Sequence, residues 1–183
     1  KWLLFADADD YFLKEWWLSV KKYLSNDADI VFFPPTSVIE GTDLPSDRHI
    51  PYVCMAYSAY DEIRKGFLSR KREIDIRYGW WGPWSKIIRK SLIEKYQLKF
   101  DVVKYSNDVK FSSLAGYYAE KVDVAWENIY CITQGNNTLT TGYRSPEEAL
   151  FENKMRKELY QKIFNFWFYN VTKEVLSYGR TKN

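Results

Sequence analysis

The opening residues constrain the fold of this chain more than any other stretch. A short run of large apolar residues, 2–6, is followed at once by the carboxylates of Asp7, Asp9 and Asp10. A run of this length and composition, stopped by acids, predicts a fully buried strand of an α/β sheet. In open α/β sheets ligands bind beyond the carboxyl ends of the strands, so we expect these carboxylates at a ligand-binding edge.

Two interpretations of these carboxylates are open at this stage. In the first, Asp7, Asp9 and Asp10 surround a divalent cation, because clustered acids repel one another and their oxygen ligands suit Mg²⁺ or Mn²⁺. In the second, Asp7 ends the strand and one of the other two acids caps the following helix. A cap accounts for one acid well and for three poorly, so the residues favour the metal site.

The stretch that follows predicts a βαβ-like unit and therefore the α/β fold class. Apolar residues recur at helical spacing over 13–24, which predicts an amphipathic helix. Residues 29–33 then form a second apolar run, stopped by two prolines, and predict a second buried strand. Residues 34–60 show no clean period and predict a loop with a short strand. The charged residues 61–77 predict a solvated helix face, with a basic rim that faces a phosphate-bearing ligand as the alternative.

A tryptophan-rich segment, 79–86, predicts a shaped loop, because three Trp with two Gly and a Pro suit neither a regular helix nor a central strand. Apolar residues at 87, 88, 92 and 93 predict a short helix that closes near Gln97, and residues 98–101 predict a brief strand. Asp108 follows a predicted N-cap at Ser106 or Asn107 and lies in the first turn of the next helix. One or two strands are predicted within 121–132.

The last part of the chain, 141–183, predicts a C-terminal helical extension. It begins with a capping box at Ser145 and continues as an apolar ridge that broadens until nearly every side is aromatic or aliphatic. Such a helix must dock on the core, on a partner or on a membrane surface, and we prefer the core. An oligomer formed through this aromatic helix is the alternative.

The composition excludes several classes of protein. The formal charge of +3 over 183 residues does not favour a nucleic-acid groove, so we expect no nucleic-acid partner. No apolar run approaches the roughly 18 residues of a membrane-spanning helix. The two cysteines lack the spacing of a metal site and favour reduced thiols in a cytoplasmic protein.

Four blocks, in order, resemble family 2 glycosyltransferases of the GT-A fold. The first is Leu-Phe-Ala-Asp-Ala-Asp-Asp at 4–10, followed by the helix and the apolar run described above. The second is Trp-Ser-Lys-Ile-Ile-Arg-Lys at 84–90, with Leu-Lys-Phe-Asp at 98–101. The third is Asn-Asp-Val-Lys-Phe at 107–111, and the fourth extends from the tyrosine-containing strand at 129–130 to the Asn-Thr-Leu-Thr turn at 137–140. The resemblance therefore assigns residues 1–140 to the C-terminal part of a GT-A domain.

The chain also departs from the family pattern. Asn107 replaces a Glu, Ser85 stands where Asn is usual, and the Gln-x-x-Arg-Trp motif of processive synthases is absent. Nothing corresponds to the family's N-terminal nucleotide-binding half, and the sequence starts with Lys1 inside a predicted strand. We therefore expect a fragment that is inactive by itself.

The resemblance implies an inverting, non-processive transfer of a sugar from a nucleotide-sugar donor to a glycan or lipid-linked saccharide acceptor, in bacterial surface polysaccharide synthesis. It assigns the metal, Mn²⁺ or Mg²⁺, to Asp9 with Asp7, which also faces the donor. It makes Asp108 the general base, with a pKa lowered by the helix N-terminus. It places Trp81, Trp84, Lys86 and Asn107 among the residues that bind donor or acceptor.

Two other functions are compatible with the residues. A phosphotransferase would use Asp7 as its nucleophile, although such enzymes usually continue with Gly and Thr where this chain has Asp10 and Tyr11. A non-catalytic glycan-binding module would use Trp80, Trp81 and Trp84 as its platform. We expect a cytoplasmic location, with peripheral association at the inner face of the membrane as an alternative.

Overall fold

The computed structural model describes most of the chain. The described residues are 1–103, 106–135, 146–147, 149–150, 153–154, 157–161 and 164–165. The chain divides into two compact units, Lys1–Gly142 and Tyr143–Asn183. In the second unit the described residues from 146 to 165 are helical. None of the described helices is both long enough and apolar enough to cross a bilayer.

The first unit contains seven strands and five helices within its described residues. The strands are β1 (Trp2–Leu4), β2 (Tyr11–Phe12), β3 (Ile30–Phe32), β4 (Thr36–Ile39), β5 (Lys86–Arg89), β6 (Val122–Val124) and β7 (Tyr130–Gln134). The helices are α1 (Trp16–Lys21), α2 (Ile50–Arg64), α3 (Arg70–Tyr78), α4 (Lys90–Tyr96) and α5 (Val109–Tyr118).

The larger sheet has the strand order β1-β5-β3-β6. Strand β5 is antiparallel to both of its neighbours, whereas β3 and β6 are parallel. The register aligns Leu4, Ile87, Val31 and Asp123 in one row across the sheet. Because β1, β3 and β6 run in the same direction, the loops that follow them emerge at the same edge.

The smaller sheet joins the start of the chain to the last strand of the unit. Its order is β2-β7-β4, with β7 antiparallel to β2 and parallel to β4. The residues between β1 and β2 contain the three acids, so the acidic turn bridges the two sheets. This arrangement confirms the predicted α/β class: the sheets are mixed and helices flank them.

The core forms around β3 and β5, the two central strands of the larger sheet. Every residue of β3 is at most 1% exposed, which confirms the buried strand predicted at 29–33. Strand β1, in contrast, is only half-buried, so the prediction of a fully buried strand is wrong. The physical reason is its position, because within the described residues β1 pairs with β5 alone and is an edge strand.

Three other predictions of secondary structure are corrected. The long helix α2 begins at Ile50, inside the predicted loop, with Pro51 in its first turn, where a missing N–H costs nothing. Ile87 and Ile88 belong to a strand, and the helix that was predicted to include them begins only at Lys90. The stretch 98–101 forms no strand, and α1 spans only Trp16–Lys21 of the predicted 13–24.

The charged segment 61–77 lies at the end of α2 and in α3, as a largely solvated surface. Its exposed lysines form i,i+4 ion pairs, Lys65 with Asp61 and Lys71 with Asp75. Arg77 is the exception, because it is buried and its guanidinium donates to the carbonyl oxygens of Gly116 (2.8 Å) and Ala119 (2.6 Å). These bonds attach α3 to the end of α5.

The predicted turn at 135–137 and the capping box at Ser145 lie at least partly outside the described residues. The aromatic end of the C-terminal ridge also lies outside them. The assignment of 1–140 and 141–183 to two domains remains a prediction.

The close contact between α3 and α5 leads to a stability prediction. A Cβ at Gly116 would lie 2.4 Å from the carbonyl oxygen of Arg77, which belongs to the backbone and cannot swing away. We therefore expect Gly116→Ala to lower the free energy of unfolding by about 2 kcal/mol or more in urea denaturation. Gly41→Ala is the control, because that site has open space and only its positive φ opposes alanine, at about 1 kcal/mol. Equal losses at the two sites would contradict this account.

Candidate active site

The acidic turn after β1 brings its three carboxylates together. Each of Asp7, Asp9 and Asp10 offers an oxygen atom, and these oxygen atoms lie within 4.8 Å of one another. A hydrogen bond of 3.3 Å from the backbone N–H of Asp10 to the carbonyl oxygen of Asp7 closes the turn. The side chains of Asp7 and Asp9 are exposed, whereas Asp10 is half-buried. The cluster is therefore open to solvent on the side of Asp7 and Asp9.

The charges in this turn destabilise one another. Desolvation by the surrounding protein, together with repulsion from Asp10, Asp108 and Asp9, raises the pKa of Asp7 to about 6. Burial likewise raises the pKa of Asp10. A bound cation would relieve this repulsion, and three carboxylates are the hard oxygen ligands that Mg²⁺ and Mn²⁺ prefer. The donor set therefore fits a divalent cation.

Strand β7 holds the acidic turn in place through Tyr130. The hydroxyl oxygen of this buried tyrosine accepts a hydrogen bond of 2.8 Å from the backbone N–H of Asp7, and the hydroxyl is also hydrogen-bonded to the carboxylate of Asp10. The backbone N–H of Thr133 donates to Asp10 Oδ1 at 2.7 Å. Asp10 is therefore anchored to the smaller sheet, which leaves Asp7 and Asp9 as the carboxylates that face solvent.

Asp108 lies at the N-cap position of α5, one residue earlier than the first-turn position predicted for it. Its side chain forms no capping hydrogen bond, and burial raises the pKa of its carboxyl group. The expected lowering by the helix N-terminus is thus wrong, because desolvation outweighs the favourable effects of the backbone N–H groups and of Lys86. The negative charge of Asp108 contributes to the raised pKa of Asp7, so the acidic turn and the start of α5 form one electrostatic site.

Lys86 lies beneath this site rather than in it. Its side chain is 1% exposed, and its Nζ donates to the carbonyl oxygen of Trp80 at 3.1 Å. Burial lowers the pKa of Lys86 to about 7, and the nearby negative charge of Asp108 acts in the opposite direction. This burial prevents the ammonium group from contacting donor or acceptor directly, so we revise its role to that of a cation beside Asp108.

The tryptophan-rich loop is a packed support. Trp84 is 5% exposed, stacks on Tyr130 with ring centroids 5.7 Å apart and an interplanar angle of 6°, and contacts Tyr52 edge-on. Trp80 is fully buried. The predicted contact of Trp84 with donor or acceptor is therefore revised, since its ring is buried and stacked and has no open face for a sugar. Trp81 is half-buried, so part of its surface is accessible to solvent.

Asn107 is exposed and directly precedes Asp108. The acids and Asn107 thus border the solvent side of the site, whereas Trp84 and Lys86 support it from below. Of the seven predicted site residues, Asp7, Asp9, Asp108 and Lys86 are linked through their charges. Trp84 supports them through Tyr130, Asn107 directly precedes Asp108, and Trp81 lies in the loop before β5.

The sequence analysis missed three residues of this site. Tyr130 links the acids to β7, and Tyr52 packs against Trp84 within reach of the charges of Asp7 and Asp108. Arg48 is the third, because its positive charge lowers the pKa values of Asp7 and Asp10. No local pattern marks Arg48 or Tyr52, since only tertiary packing brings them to the acidic turn. Tyr130 lies in the fourth family-like block, but its position there does not reveal its bond to Asp7.

Comparison with known proteins identifies a similar fold. The glycosyltransferase TarS of S. aureus, in the form TarS 1–349 in complex with UDP-GlcNAc, has a TM-score of 0.58 and 22% sequence identity. This match covers 80% of the present chain and 38% of that structure. TarS 1–349 in complex with UDP gives a TM-score of 0.51 at 21% identity, covering 73% and 36%, and TarS itself gives 0.52 at 22%, covering 73% and 22%. The present chain thus spans well under half of these structures.

No protein-family model matches the sequence, and no curated protein matches it. The structural similarity, at this level of identity, shows the fold alone. The chain therefore has a mixed α/β fold similar to that of the TarS glycosyltransferase.

The repulsion at Asp7 predicts a pH-dependent stability. Because the folded-state pKa of about 6 exceeds the reference value of 3.8, the folded state binds this proton more tightly and loses stability as the pH rises between these values. In metal-free buffer at pH 7.5 we expect Asp7→Asn to raise Tm by about 2–4 °C, a gain of about 1 kcal/mol after screening by solvent. The gain should vanish as the pH falls below about 4.

Asp27→Asn is the matched control for this experiment. Asp27 is an exposed carboxylate whose hydrogen bond to Lys121 lowers its pKa, so its removal should give no gain at neutral pH. Thermal melts monitored by circular dichroism measure both variants. An Asp7→Asn variant that is no more stable than the wild type at pH 7.5 would refute the view that the ionised Asp7 destabilises the folded state.

Proposed function

We propose that this chain carries the metal-binding and catalytic part of an inverting, non-processive glycosyltransferase. The donor would be a nucleotide-sugar and the acceptor a hydroxyl group of a glycan or lipid-linked saccharide, in the synthesis of a bacterial surface polysaccharide. The single observation that supports this most is a three-carboxylate turn with a fourth carboxylate, Asp108, in electrostatic contact with it, on a TarS-like fold. A cytoplasmic location, including peripheral association with the membrane, belongs to the same proposal.

The metal would be held by the two carboxylates that face solvent, Asp9 and Asp7. Asp10 is less suited to this role, because its Oδ1 already accepts the N–H of Thr133 and its carboxylate is bonded to Tyr130. When bound, Mn²⁺ or Mg²⁺ supplies charge neutralisation for the departing diphosphate of the donor. The residues of the chain perform the remaining tasks, namely orientation of the substrates and proton transfer.

Asp108 is the proposed general base. The acceptor hydroxyl oxygen forms a bond to the anomeric carbon while the bond from that carbon to the diphosphate oxygen breaks on the opposite face. The proton of the hydroxyl passes to the Asp108 carboxylate, and the configuration of the sugar inverts. Partial burial raises the pKa of Asp108 and so makes its carboxylate a stronger base, which suits this task.

The groups around Asp108 oppose the effect of burial on its pKa. The positive charge of Lys86 favours the carboxylate form of Asp108 and limits the rise in its pKa. The backbone N–H groups of Asp108 and Val109 also favour the carboxylate form of Asp108. Trp81 and Asn107 are proposed to border the bound sugars, with Trp84 stacked on Tyr130 as the support beneath them.

Removal of the base gives the test of this function. In the complete protein that carries this sequence, we expect Asp108→Asn to lower kcat about 10²–10⁴-fold, with little change in the donor KM, because the amide preserves shape but cannot accept the proton. Release of nucleoside diphosphate and mass spectrometry of the glycosylated acceptor measure the rate.

Asp43→Asn, an exchange in an exposed loop, serves as the control and should keep the wild-type rate. If Asp108→Asn retains more than half of the activity, Asp108 is not the base. A protein that binds saccharides but transfers none, with any donor tested, would instead favour a non-catalytic glycan-binding module.

A further inference from the structure

The loop that follows β6 presents an exposed aromatic side chain outside the acidic site. Trp126 is 55% exposed, although tryptophan is usually well covered in folded proteins. A single exposed apolar residue needs no explanation by itself. What distinguishes Trp126 is the way in which its ring and its loop are fixed.

One side of the indole is backed by α2. Its ring stacks on Tyr57, with centroids 4.3 Å apart and an interplanar angle of 28°, and it contacts Tyr60 at 5.3 Å. Arg64 lies over the Tyr60 ring and also bonds to Asp123 Oδ1 at 2.9 Å, which ties the helix to β6. The indole is thus held from one side by an aromatic stack while more than half of it stays in solvent.

The loop that carries Trp126 is fixed on both sides of that residue. The N–H of Ala125 donates to the carbonyl oxygen of Phe32 at 2.8 Å, and Asn128 Nδ2 donates to the carbonyl oxygen of Pro34 at 2.8 Å. Glu127 accepts hydrogen bonds from Lys22 and Tyr23. Little conformational freedom remains to be lost when a ligand binds, which is the property of a preorganised binding surface.

This surface lies at the same edge of the sheet as the acidic turn. Leu4 and Asp123 occupy one row of the register, and Asp7 and Trp126 each follow that row by three residues in parallel strands. Three strand spacings of about 4.8 Å separate β1 from β6, or about 14 Å across the sheet. That separation exceeds one sugar ring but is within reach of an oligosaccharide.

The charges around Trp126 favour a neutral ligand. Arg64 is paired with Asp123, and Lys22 with Glu127, so the described cations beside the ring are already neutralised by carboxylates. A nucleotide or a phosphate-bearing chain would call for unpaired cations here. The flat open face of an indole instead matches the apolar C–H face of a hexopyranose ring.

We propose that Trp126, backed by Tyr57, is a stacking platform for a neutral hexopyranose unit of the acceptor glycan, remote from the unit that reacts. The identification of this saccharide as the acceptor rests on the proposed function. Saccharide binding at Trp126 can be tested without any transfer reaction. A second copy of the chain or another protein on the same ring is the competing occupant.

The test is a titration of the chain with chitotetraose and with cellotetraose, followed by NMR. We expect the indole N–H signal of Trp126 to shift and saturate with at least one of the two probes. Trp126→Ala should weaken binding about tenfold or more, as expected when a stacking contact is lost. Trp126→Phe, which keeps a flat ring, should retain part of the affinity and guards against misfolding of the alanine variant.

Trp17→Ala is the matched control, since Trp17 is 48% exposed on α1 and has no contact with Tyr57 among the described residues. It should bind both probes like the wild type. Absence of binding by both probes, or equal affinity in the wild type and in Trp126→Ala, would overturn the platform. A dimer seen by sedimentation and lost in Trp126→Ala, without saccharide binding, would overturn it in favour of a protein interface.

Mn²⁺ binding, measured on the same samples, separates the two proposals. Saccharide binding at Trp126 in a chain that binds no Mn²⁺ would retain the platform and remove the metal part of the proposed function. Mn²⁺ binding without saccharide binding would retain the metal part of the proposed function and remove the platform.

Discussion

The close approach of the carboxylates of Asp7, Asp9 and Asp10 is the constraint on which the rest of this structure depends. Burial of Asp7, together with repulsion from like charges that include the two carboxylates within 4.8 Å, raises the pKa of Asp7. The fold holds them there because Tyr130, from the smaller sheet, bonds both to the backbone of Asp7 and to the carboxylate of Asp10. The tyrosine in turn is fixed by its stack against Trp84. Support from the core therefore maintains an arrangement that is unfavourable in isolation and favourable around a cation.

The same support determines what each part of the site can do. Asp10 is used to join the sheets, which leaves Asp9 and Asp7 for a ligand. At the start of α5, burial raises the pKa of Asp108, and the positive charge of Lys86 limits this rise. Exposed acids beside buried aromatic groups suit the proposed chemistry, because they offer a polar face for substrates on a packed support.

The fold class and the central strand could be predicted from the sequence because their signals are local. The run at 29–33 is short, apolar and bounded by prolines, which leaves a buried strand as the simplest solution. Ile87 and Ile88 fit a strand as well as a helix, and only their pairing with β1 and β3 decides between the two. Helix α2 escaped prediction because its fully buried positions are the small residues Ala56 and Ala59, which give a weak apolar period.

The candidate site, like the fold, could be predicted from the sequence only in part. The clustering of the three acids follows from their adjacency in the sequence, whereas the approach of Asp108 was expected only from the order of family-like blocks. The direct roles given to Trp84 and Lys86 needed revision because residue type does not reveal burial. Arg48 and Tyr52 could not be found from the sequence, since tertiary packing alone brings them to the acids, and the family-like block that contains Tyr130 did not reveal its bond to Asp7.

The central claim is that the acidic turn binds a divalent cation. Calorimetric titration of the chain with Mn²⁺ measures this binding directly. The structure predicts one Mn²⁺ site whose affinity falls about tenfold or more in Asp9→Asn, because that exchange removes a ligand that no other interaction replaces. Asp43→Asn should leave the affinity unchanged. Failure of the wild-type chain to bind Mn²⁺, or equal affinity in the wild type and in Asp9→Asn, would contradict the account.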